Sequence, residues 1–448
     1  MKQKSILLTL GLLAVTGGQA QAPQVWSMDD CIDYALGHAI SIQRKTLEAA
    51  NAKTDVGIAL SGFLPSGSVG TSAQYSWGRN VDPETNTYKT ITTFGNAYSL
   101  YASLQVFDGG QTINRFRQAR LLRQQGLTQL QQARDDKAIE VMEKFVDAAY
   151  AQQCVTLAEN KLAESRQLLA KTQRMEQLGA KSLPDVAQIE SQVAEDDYNL
   201  THQQNQLQTA LLALKSAMNC DLSVEFRVES LEFATAVPKG EGTAAANSTL
   251  YTLHSTLPAS LAAEQSVRKA ELDYQIAKGR LLPSLSLQAG VSTSYFRSLN
   301  GGGTVPPFHS QFRDNMGEYV SASLSLPLFN LSRHQEVRKA RRNVELARLE
   351  RDETLRRLDD AARQALLDCE GYGKEVEKMA RKVVSDSLAY HLASRKYDEG
   401  MLSVFDLHTL SQTLQESRVH LLQTQMLLAI KQRLVMYYEN GKIWTRSL

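Results

Sequence analysis

The chain has 448 residues, of which 49 are basic and 48 acidic, so it carries a formal net charge of +1. This balance lacks the basic surplus that nucleic-acid binding requires, and no nucleic-acid partner is predicted. The four cysteines are widely spaced and form no C-x-x-C motif, which argues against a zinc site and against a disulfide framework.

Residues 1–20 have the layout of a secretory signal peptide. Two lysines precede an apolar run at 6–15, and small residues follow it. Cleavage after Ala20 is favoured, because cleavage after Ala22 would place Pro23 immediately after the cleaved bond. No later run of about eighteen apolar residues exists, so no membrane-spanning helix is predicted. The exported chain is therefore either soluble or inserted in an outer membrane as strands.

Residues 21–219 form a first structural repeat. A helix is predicted over about 27–60, followed by strands at about 66–77 and 96–107 and a polar, Gly-rich segment, 78–95, between them. Apolar and polar residues alternate in both strands, which is the period of a strand with one apolar face. The apolar positions are Val69, Thr71, Ala73, Tyr75 and Trp77 in one strand and Tyr98, Leu100, Ala102, Leu104 and Val106 in the other.

One exceptionally long helix is predicted over about 108–177. Apolar residues recur there at intervals of seven, which is typical of supercoiled helices. At 1.5 Å per residue the helix is roughly 100 Å long, about the summed length of the N-terminal helix and a helix over about 182–218. These helix lengths place Cys31 and Cys220 at the same height along the helical part. An exported chain enters a compartment whose redox conditions permit a disulfide.

Residues 220–257 are interpreted as an equatorial linker, and residues 258–448 as a second repeat. Its strands are predicted at about 284–296 and 318–328, joined by another polar segment, 297–317. The duplication is clearest in one apolar register, which recurs at a constant offset of 221. Its members are Val186, Val193, Leu200, Leu207 and Leu214 in the first repeat and Leu407, Leu414, Leu421, Leu428 and Val435 in the second.

The turn before each register is also duplicated. Gly179, Ser182 and Asp185 align with Gly400, Ser403 and Asp406. A glycine suits the left-handed end of a helix, and a serine with an acid three residues later suits the start of the next. The two aspartates are therefore predicted to cap helices. Lining a pore is the further role considered for both.

Four strands of about ten residues can each cross a bilayer, but they cannot close into a barrel, and an open sheet edge cannot lie in lipid. Three chains would supply twelve strands and twelve helical rods, enough for an aqueous lumen and a hollow cylinder. The predicted fold is thus mainly α with a transmembrane β part, a homotrimer in which a 12-stranded outer-membrane barrel continues into a 12-helix periplasmic barrel. Aromatic residues near one strand end suggest an interfacial girdle: Tyr75, Trp77, Tyr98, Tyr295 and Tyr319.

Over essentially its whole mature length, the chain resembles the TolC-type outer-membrane efflux proteins. The resemblance is carried by the entry Trp26-Ser27-Met28-Asp29-Asp30-Cys31-Ile32-Asp33-Tyr34-Ala35-Leu36, the strand ends Val106-Phe107-Asp108 and Pro327-Leu328-Phe329-Asn330, and the two Gly-x-x-Ser-x-x-Asp turns. It implies a passive exit duct in the outer membrane, in contact with its lipid. The duct would serve tripartite efflux or type I secretion and dock by its periplasmic tips onto an adaptor and an inner-membrane pump.

The resemblance also implies site residues at the tips. Tyr397, Gly400 and Asp406 match the family prototype, whereas Thr409 replaces a second gate acid and Leu402 replaces a tip arginine. Lys181, on the other tip, is the candidate to substitute for that arginine. The predicted gate residues are Asp406, Asp185 and Thr409, and the predicted docking residues are Gly179, Lys181, Ser182, Tyr397, Gly400, Leu402 and Ser403.

No cofactor, metal site or enzymatic activity is predicted. The eight histidines show no H-x-x-x-H spacing, and no nucleophile or phosphate-binding motif is present. The alternative function is a soluble periplasmic coiled-coil adaptor or structural rod. That alternative explains the helices but not four strands of bilayer length, each with one apolar face.

Overall fold

The computed structural model describes residues 24–82, 86–221, 226–229, 257–300 and 306–441. The predicted signal peptide and most of the predicted linker lie outside these ranges. The molecule is mainly helical. Within the described residues, no helix is both long enough and apolar enough to cross a membrane.

Two runs of elements with a similar order follow each other along the chain, and each contains two long strands, then a very long helix and a shorter one. The first run contains α1 (Met28–His38), α2 (Ile40–Ser61), β2 (Ser66–Asp82), β3 (Thr87–Phe107), α3 (Gln111–Gln177) and α4 (Leu183–Met218). The second contains α5 (Pro258–Gly279), β5 (Ser284–Ser298), α6 (Phe308–Asp314), β6 (Gly317–Ser325), α7 (Leu331–Asp398) and α8 (Val404–Asn440). Two short strands, β1 (Gln24–Trp26) and β4 (Phe226–Val228), pair in parallel beside them.

The N-terminal helix is not continuous, contrary to the sequence prediction. It breaks at Ala39, which has an extended backbone with ψ 125°, although its N–H still bonds to the carbonyl of Ala35 at 2.8 Å. Ala39 is completely buried, as are Cys31 and Ala35 on α1. The break lets α1 turn its apolar face into the core while α2 runs along α3.

Two long helices, α3 with 67 residues and α7 with 68, run the length of the helical part. Each is roughly 100 Å long and packs against the helix that follows its turn. Heptad positions Val141, Ala148, Val155 and Leu162 of α3 are buried. The seven-residue apolar period therefore marks the packed face of the helix.

The four long strands form one antiparallel sheet in the order β2-β3-β5-β6. The pairing of β3 with β5 joins the two repeats, and β2 and β6 are the outer strands. The apolar positions Val69, Leu100 and Val291 are direct cross-strand neighbours on one face. Serines dominate the opposite face, so the sheet has one apolar and one polar side.

Several strand predictions need correction. The segment predicted to join β2 and β3 is mostly strand, because its polar residues continue the same hairpin pairing as far as Asp82 and Thr87. β6 ends at Ser325, before Pro327, and does not extend to 328. Tyr319 does not belong to an aromatic girdle on the apolar face, since it pairs with Gly290 on the serine-rich face and its ring covers that glycine.

The sequence analysis missed helix α6, which lies in the segment predicted to be a loop. Its Gln311 side chain accepts a hydrogen bond from the Phe296 N–H at 2.9 Å and donates one to the Phe296 carbonyl at 3.0 Å. The side chain thus takes the place of a paired strand at the edge of β5. Phe308 and Phe312 pack against the rings of Tyr98 and Tyr295.

Sheet and helices meet at a close backbone crossing. Gly109 has φ +70°, and a Cβ atom added there would lie 2.2 Å from the carbonyl oxygen of Gly279. Because glycine has no Cβ atom, it alone adopts this positive φ and allows this close approach at low energy. This junction fixes where the chain leaves the sheet and enters α3.

The main core surrounds the junction of α1, α3 and α4. Cys31 and Cys220 both lie in it, and both are free thiols. Burial raises the pKa of the Cys31 thiol to about 12, with smaller contributions from Asp30 and Cys220. The two cysteines share one core without forming a disulfide.

Asp135 is a buried acid that links α3 to α8. Its side chain is 2% exposed and accepts hydrogen bonds from Gln131 Nε2 at 2.8 Å and Tyr437 Oη at 3.3 Å. Burial raises its pKa from 3.8 to about 6, with Asp136 adding to the rise and the two hydrogen bonds and Arg134 opposing it. The folded protein therefore binds this proton more tightly than the unfolded chain does.

We predict that Asp135→Asn stabilises the protein at pH 8. The raised pKa means that stability falls as pH rises from about 4 to about 6, and the ionised carboxylate then costs roughly 3 kcal/mol. Thermal unfolding of the variant should occur a few degrees higher than the parent at pH 8, with a smaller difference at pH 5. Asp55→Asn, at an exposed site on α2, is the control and should show no such pH dependence.

Candidate gate and docking tips

Two helical turns form the tips of the molecule, and both end their first helix in the same way. Gly179 and Gly400 have φ values of +73° and +75°. After Gly179, the Ala180 N–H bonds to the Met175 carbonyl at 2.8 Å, and the Met401 N–H bonds to Lys396 in the matching way at 2.9 Å. Both turns are glycine C-caps of the Schellman type.

Both turns also start their second helix alike, as the sequence predicted. Ser182 Oγ donates to Asp185 Oδ2 at 2.7 Å, and Ser403 Oγ donates to Asp406 Oδ2 at 2.7 Å. Hydrogen bonds from the Ser182 backbone and hydroxyl, together with Lys181, hold the pKa of Asp185 below its usual range. Both carboxylates are thus part of the caps.

Tyr397 is the most enclosed side chain of the tips. It is completely buried, in a small core with Ile189, Val404 and Leu407. Its hydroxyl lies 2.8 Å from Thr172 Oγ1, which itself donates to the Leu168 carbonyl. Tyr397 therefore donates to Thr172, and this bond joins the end of α7 to α3.

A cation reinforces the same junction. Lys181 Nζ lies 4.1 Å from the centre of the Tyr397 ring, within the range of a cation–π contact. Lys171 and Asp398 form an ion pair beside it. The structure thus brings together two predicted site residues from different tips, Lys181 and Tyr397.

The remaining predicted residues divide into exposed and packed groups. Asp406 and Thr409 are exposed, and the Thr409 hydroxyl bonds only within its own helix, to the Phe405 carbonyl at 3.0 Å. Leu402 packs against the tip core and is not fully exposed. The predicted residues Gly179, Ser182, Gly400 and Ser403 lie on the exposed turns.

Sequence reasoning missed the apolar surface of the tips. Four large apolar side chains are exposed there: Leu178 and Leu183 on the first tip, and Met401 and Phe405 on the second. The signal was present in the sequence, because all four flank the capping residues and fall outside the buried heptad register. Their exposure on two adjacent turns marks a surface that a partner can cover.

No three His, Cys, Asp or Glu side chains in the described ranges are grouped so that they could hold a metal ion. The site therefore consists of hydrogen-bonded caps, an interhelical junction and an exposed apolar surface. These features suit docking and movement of helices, and they contain no pairing of acid, base and nucleophile.

Comparison with known proteins identifies the family. The family model described as "Outer membrane efflux protein" matches residues 31–219 and 254–435, more than four-fifths of the chain. No curated protein matches the sequence significantly.

Solved structures share the fold at low sequence identity. CusC superposes with a TM-score of 0.79 at 16% identity, covering 93% of this chain and 92% of that chain. The CmeC outer membrane channel of Campylobacter jejuni gives 0.77 at 15% identity, with coverages of 98% and 94%. VceC, an outer membrane protein of Vibrio cholerae, gives 0.76 at 15% identity, with coverages of 93% and 97%.

The family match confirms the resemblance inferred from the sequence, together with an efflux function in the outer membrane. It favours the channel over the soluble adaptor or rod, and a family of channels fits the expectation of a protein that is not an enzyme. The chain belongs to the outer membrane efflux protein family.

Proposed function

We propose that three copies of this chain form one continuous duct that carries solutes from an inner-membrane pump to the exterior. The observation that carries this proposal is the four-stranded sheet of the described residues, which has one apolar face and whose outer strands, β2 and β6, pair on one side only. Val69 on β2 and Val320 on β6 are 81% and 82% exposed in the single chain. Lipid would cover these side chains once neighbouring copies had paired the strand edges.

Three copies would close both the sheet and the helical part of the molecule into barrels. They would supply twelve strands, which leave a water-filled lumen, and twelve helical rods for the periplasmic barrel. The serine-rich face of the sheet would then line the lumen. The domain boundaries follow the same scheme, with residues 21–219 and 258–448 as repeats and 220–257 as the equatorial linker.

The trimer is tested by native mass spectrometry of the full chain in detergent. We expect a mass of three chains, because two chains give eight strands, a number whose interior is filled by side chains. A monomer or dimer would contradict the duct. A rod that stays soluble without detergent would favour the alternative, a structural rod or adaptor.

At the periplasmic end, we place the gate at Asp406, with Asp185 and Thr409 nearby. Threefold symmetry would bring three Asp406 carboxylates toward the axis, where they repel one another and favour cations. Because Thr409 carries no charge, one acidic ring is expected and not two.

Single-channel recording tests this gate. Asp406→Ala should lose cation selectivity and block by multivalent cations, because the ring charge is removed. Ser403→Ala is the matched control, since it breaks the cap bond to Asp406 but keeps the charge, and it should retain both properties. Unchanged selectivity in Asp406→Ala would show that Asp406 acts as a helix cap only.

We also propose that the junction of Thr172, Tyr397 and Lys181 stabilises the closed state of the tips. Tyr397→Phe removes a buried hydrogen bond but keeps the ring under Lys181. A lost bond of about 1 kcal/mol should shift the balance between open and closed tips about fivefold toward the open form. The measurement is the open probability in planar bilayers, with Tyr198→Phe, at an exposed site on α4, as the control that should not change it.

The exposed tip surface is proposed to dock a periplasmic adaptor, which in turn contacts the pump. Its apolar part consists of Leu178, Leu183, Met401 and Phe405, and the exposed serines of the same turns, Ser182 and Ser403, supply its polar part. Apolar side chains flanked by polar turn residues suit an interface that forms and dissociates. The transported solute would be selected mostly by the pump.

A further inference from the structure

A polar cleft lies between α3, α4 and α8, away from the tips. Its cavity has a volume of about 300 Å³, and Tyr150, Lys161, Gln192, Glu195, Asp196 and Glu416 are among the residues that line it. The residues from α4 extend from Gln192 to Gln206, which gives a length of roughly 20 Å. We call it the inter-hairpin cleft, because α3 and α4 belong to one hairpin and α8 to the other.

Asp196 is the unusual residue of this cleft. Its side chain is only 5% exposed, and Oδ1 accepts a hydrogen bond from Gln192 Nε2 at 2.7 Å. Its other oxygen, Oδ2, is buried and has no hydrogen-bond partner among the residues that the structure describes. A buried carboxylate oxygen without a donor is costly, so a donor that fills this place would be favoured strongly.

Lys161 does not supply that donor. Its ammonium bonds to the Ser411 hydroxyl on α8, and within the described chain Oδ2 of Asp196 stays without a hydrogen-bond partner. Burial lowers the pKa of Lys161, and the nearby Asp196 and Glu164 oppose that shift while Arg418 adds to it. Lys161 therefore serves the contact between the hairpins.

The charge of the lining indicates what kind of ligand fits. Glu195, Asp196 and Glu416 face a single basic residue, Lys161, among the lining side chains. Most of the other lining residues are amides, whose oxygens accept hydrogen bonds: Gln192, Asn199, Gln203, Gln206, Gln412 and Gln415. The described residues contain no group suited to a metal ion. Acceptors dispersed along an elongated cleft suit an extended organic cation.

We propose that the inter-hairpin cleft binds a small linear organic cation with primary ammonium groups. One ammonium would donate to Asp196 Oδ2 and to neighbouring amide oxygens, since it carries three donors. A second ammonium would lie between Glu195 and Glu416, which belong to α4 and α8. The ligand would thereby connect the two hairpins.

Isothermal titration calorimetry of the full chain in detergent tests the site, with spermidine as the probe. We expect saturable binding that weakens with added salt, and no binding of 1,4-butanediol, a neutral chain. Asp196→Asn should weaken spermidine binding at least tenfold. Asp197→Asn is the matched control, because Asp197 is exposed and paired with Arg166 at 3.1 Å, and it should change the affinity less than twofold.

Lys161→Gln, which removes the charge but keeps a donor for the Ser411 hydroxyl, provides a second, independent readout. Removing this positive charge should strengthen spermidine binding severalfold, whereas a residue with only a structural role would weaken it when removed. Mg²⁺ is the control for nonspecific attraction of cations to the acidic lining, and it should bind more weakly than spermidine. The proposal is overturned if Mg²⁺ binds as tightly as spermidine, or if the Asp196 and Asp197 variants lose affinity equally. Since binding is measured directly, these outcomes are independent of whether the duct conducts.

Discussion

The constraint on which the structure depends is the pairing of the backbone at the two outer edges of the sheet. β2 and β6 each present one row of N–H and C=O groups that no strand of the described chain satisfies. In water these groups bind solvent, but in lipid each unpaired group costs several kcal/mol. In the proposed trimer, neighbouring copies would pair these edges and would join head to tail from β6 to β2.

The helical part follows from that sheet. Each repeat sends one strand into a long helix, and the crossing of Gly109 with Gly279 fixes where α3 departs. In the proposed trimer, a ring of strands would continue into a ring of helices without a separate domain. At the far end, the caps leave each tip aspartate with one oxygen bound to serine and the other available. Capping and interaction with cations are therefore compatible in one residue.

Much of this architecture could be predicted, because periodicity is a local property of sequence. Intervals of two and seven residues located the strands and long helices, and the matched glycines and serines located both tips. The sequence did not predict contacts that depend on distant partners. Gln311 replaces a strand at the edge of β5, and Tyr397 meets a threonine 225 residues away. The break at Ala39 was missed because alanine is an excellent helix former, and packing overrode that preference.

Isolated polar contacts connect the two hairpins at different heights. Buried or partly buried polar contacts between α3 and the helices α7 and α8 include Asp135 with Tyr437, Lys161 with Ser411 and Thr172 with Tyr397. They are spread over roughly 55 Å of α3. Each contact contributes on the order of 1 kcal/mol and holds the register of the helices at one point. A continuous apolar interface would instead hold them along their whole length. In the proposed duct, the contact nearest the tip would break while the two above it hold, and opening would be a local event at the end of the tube.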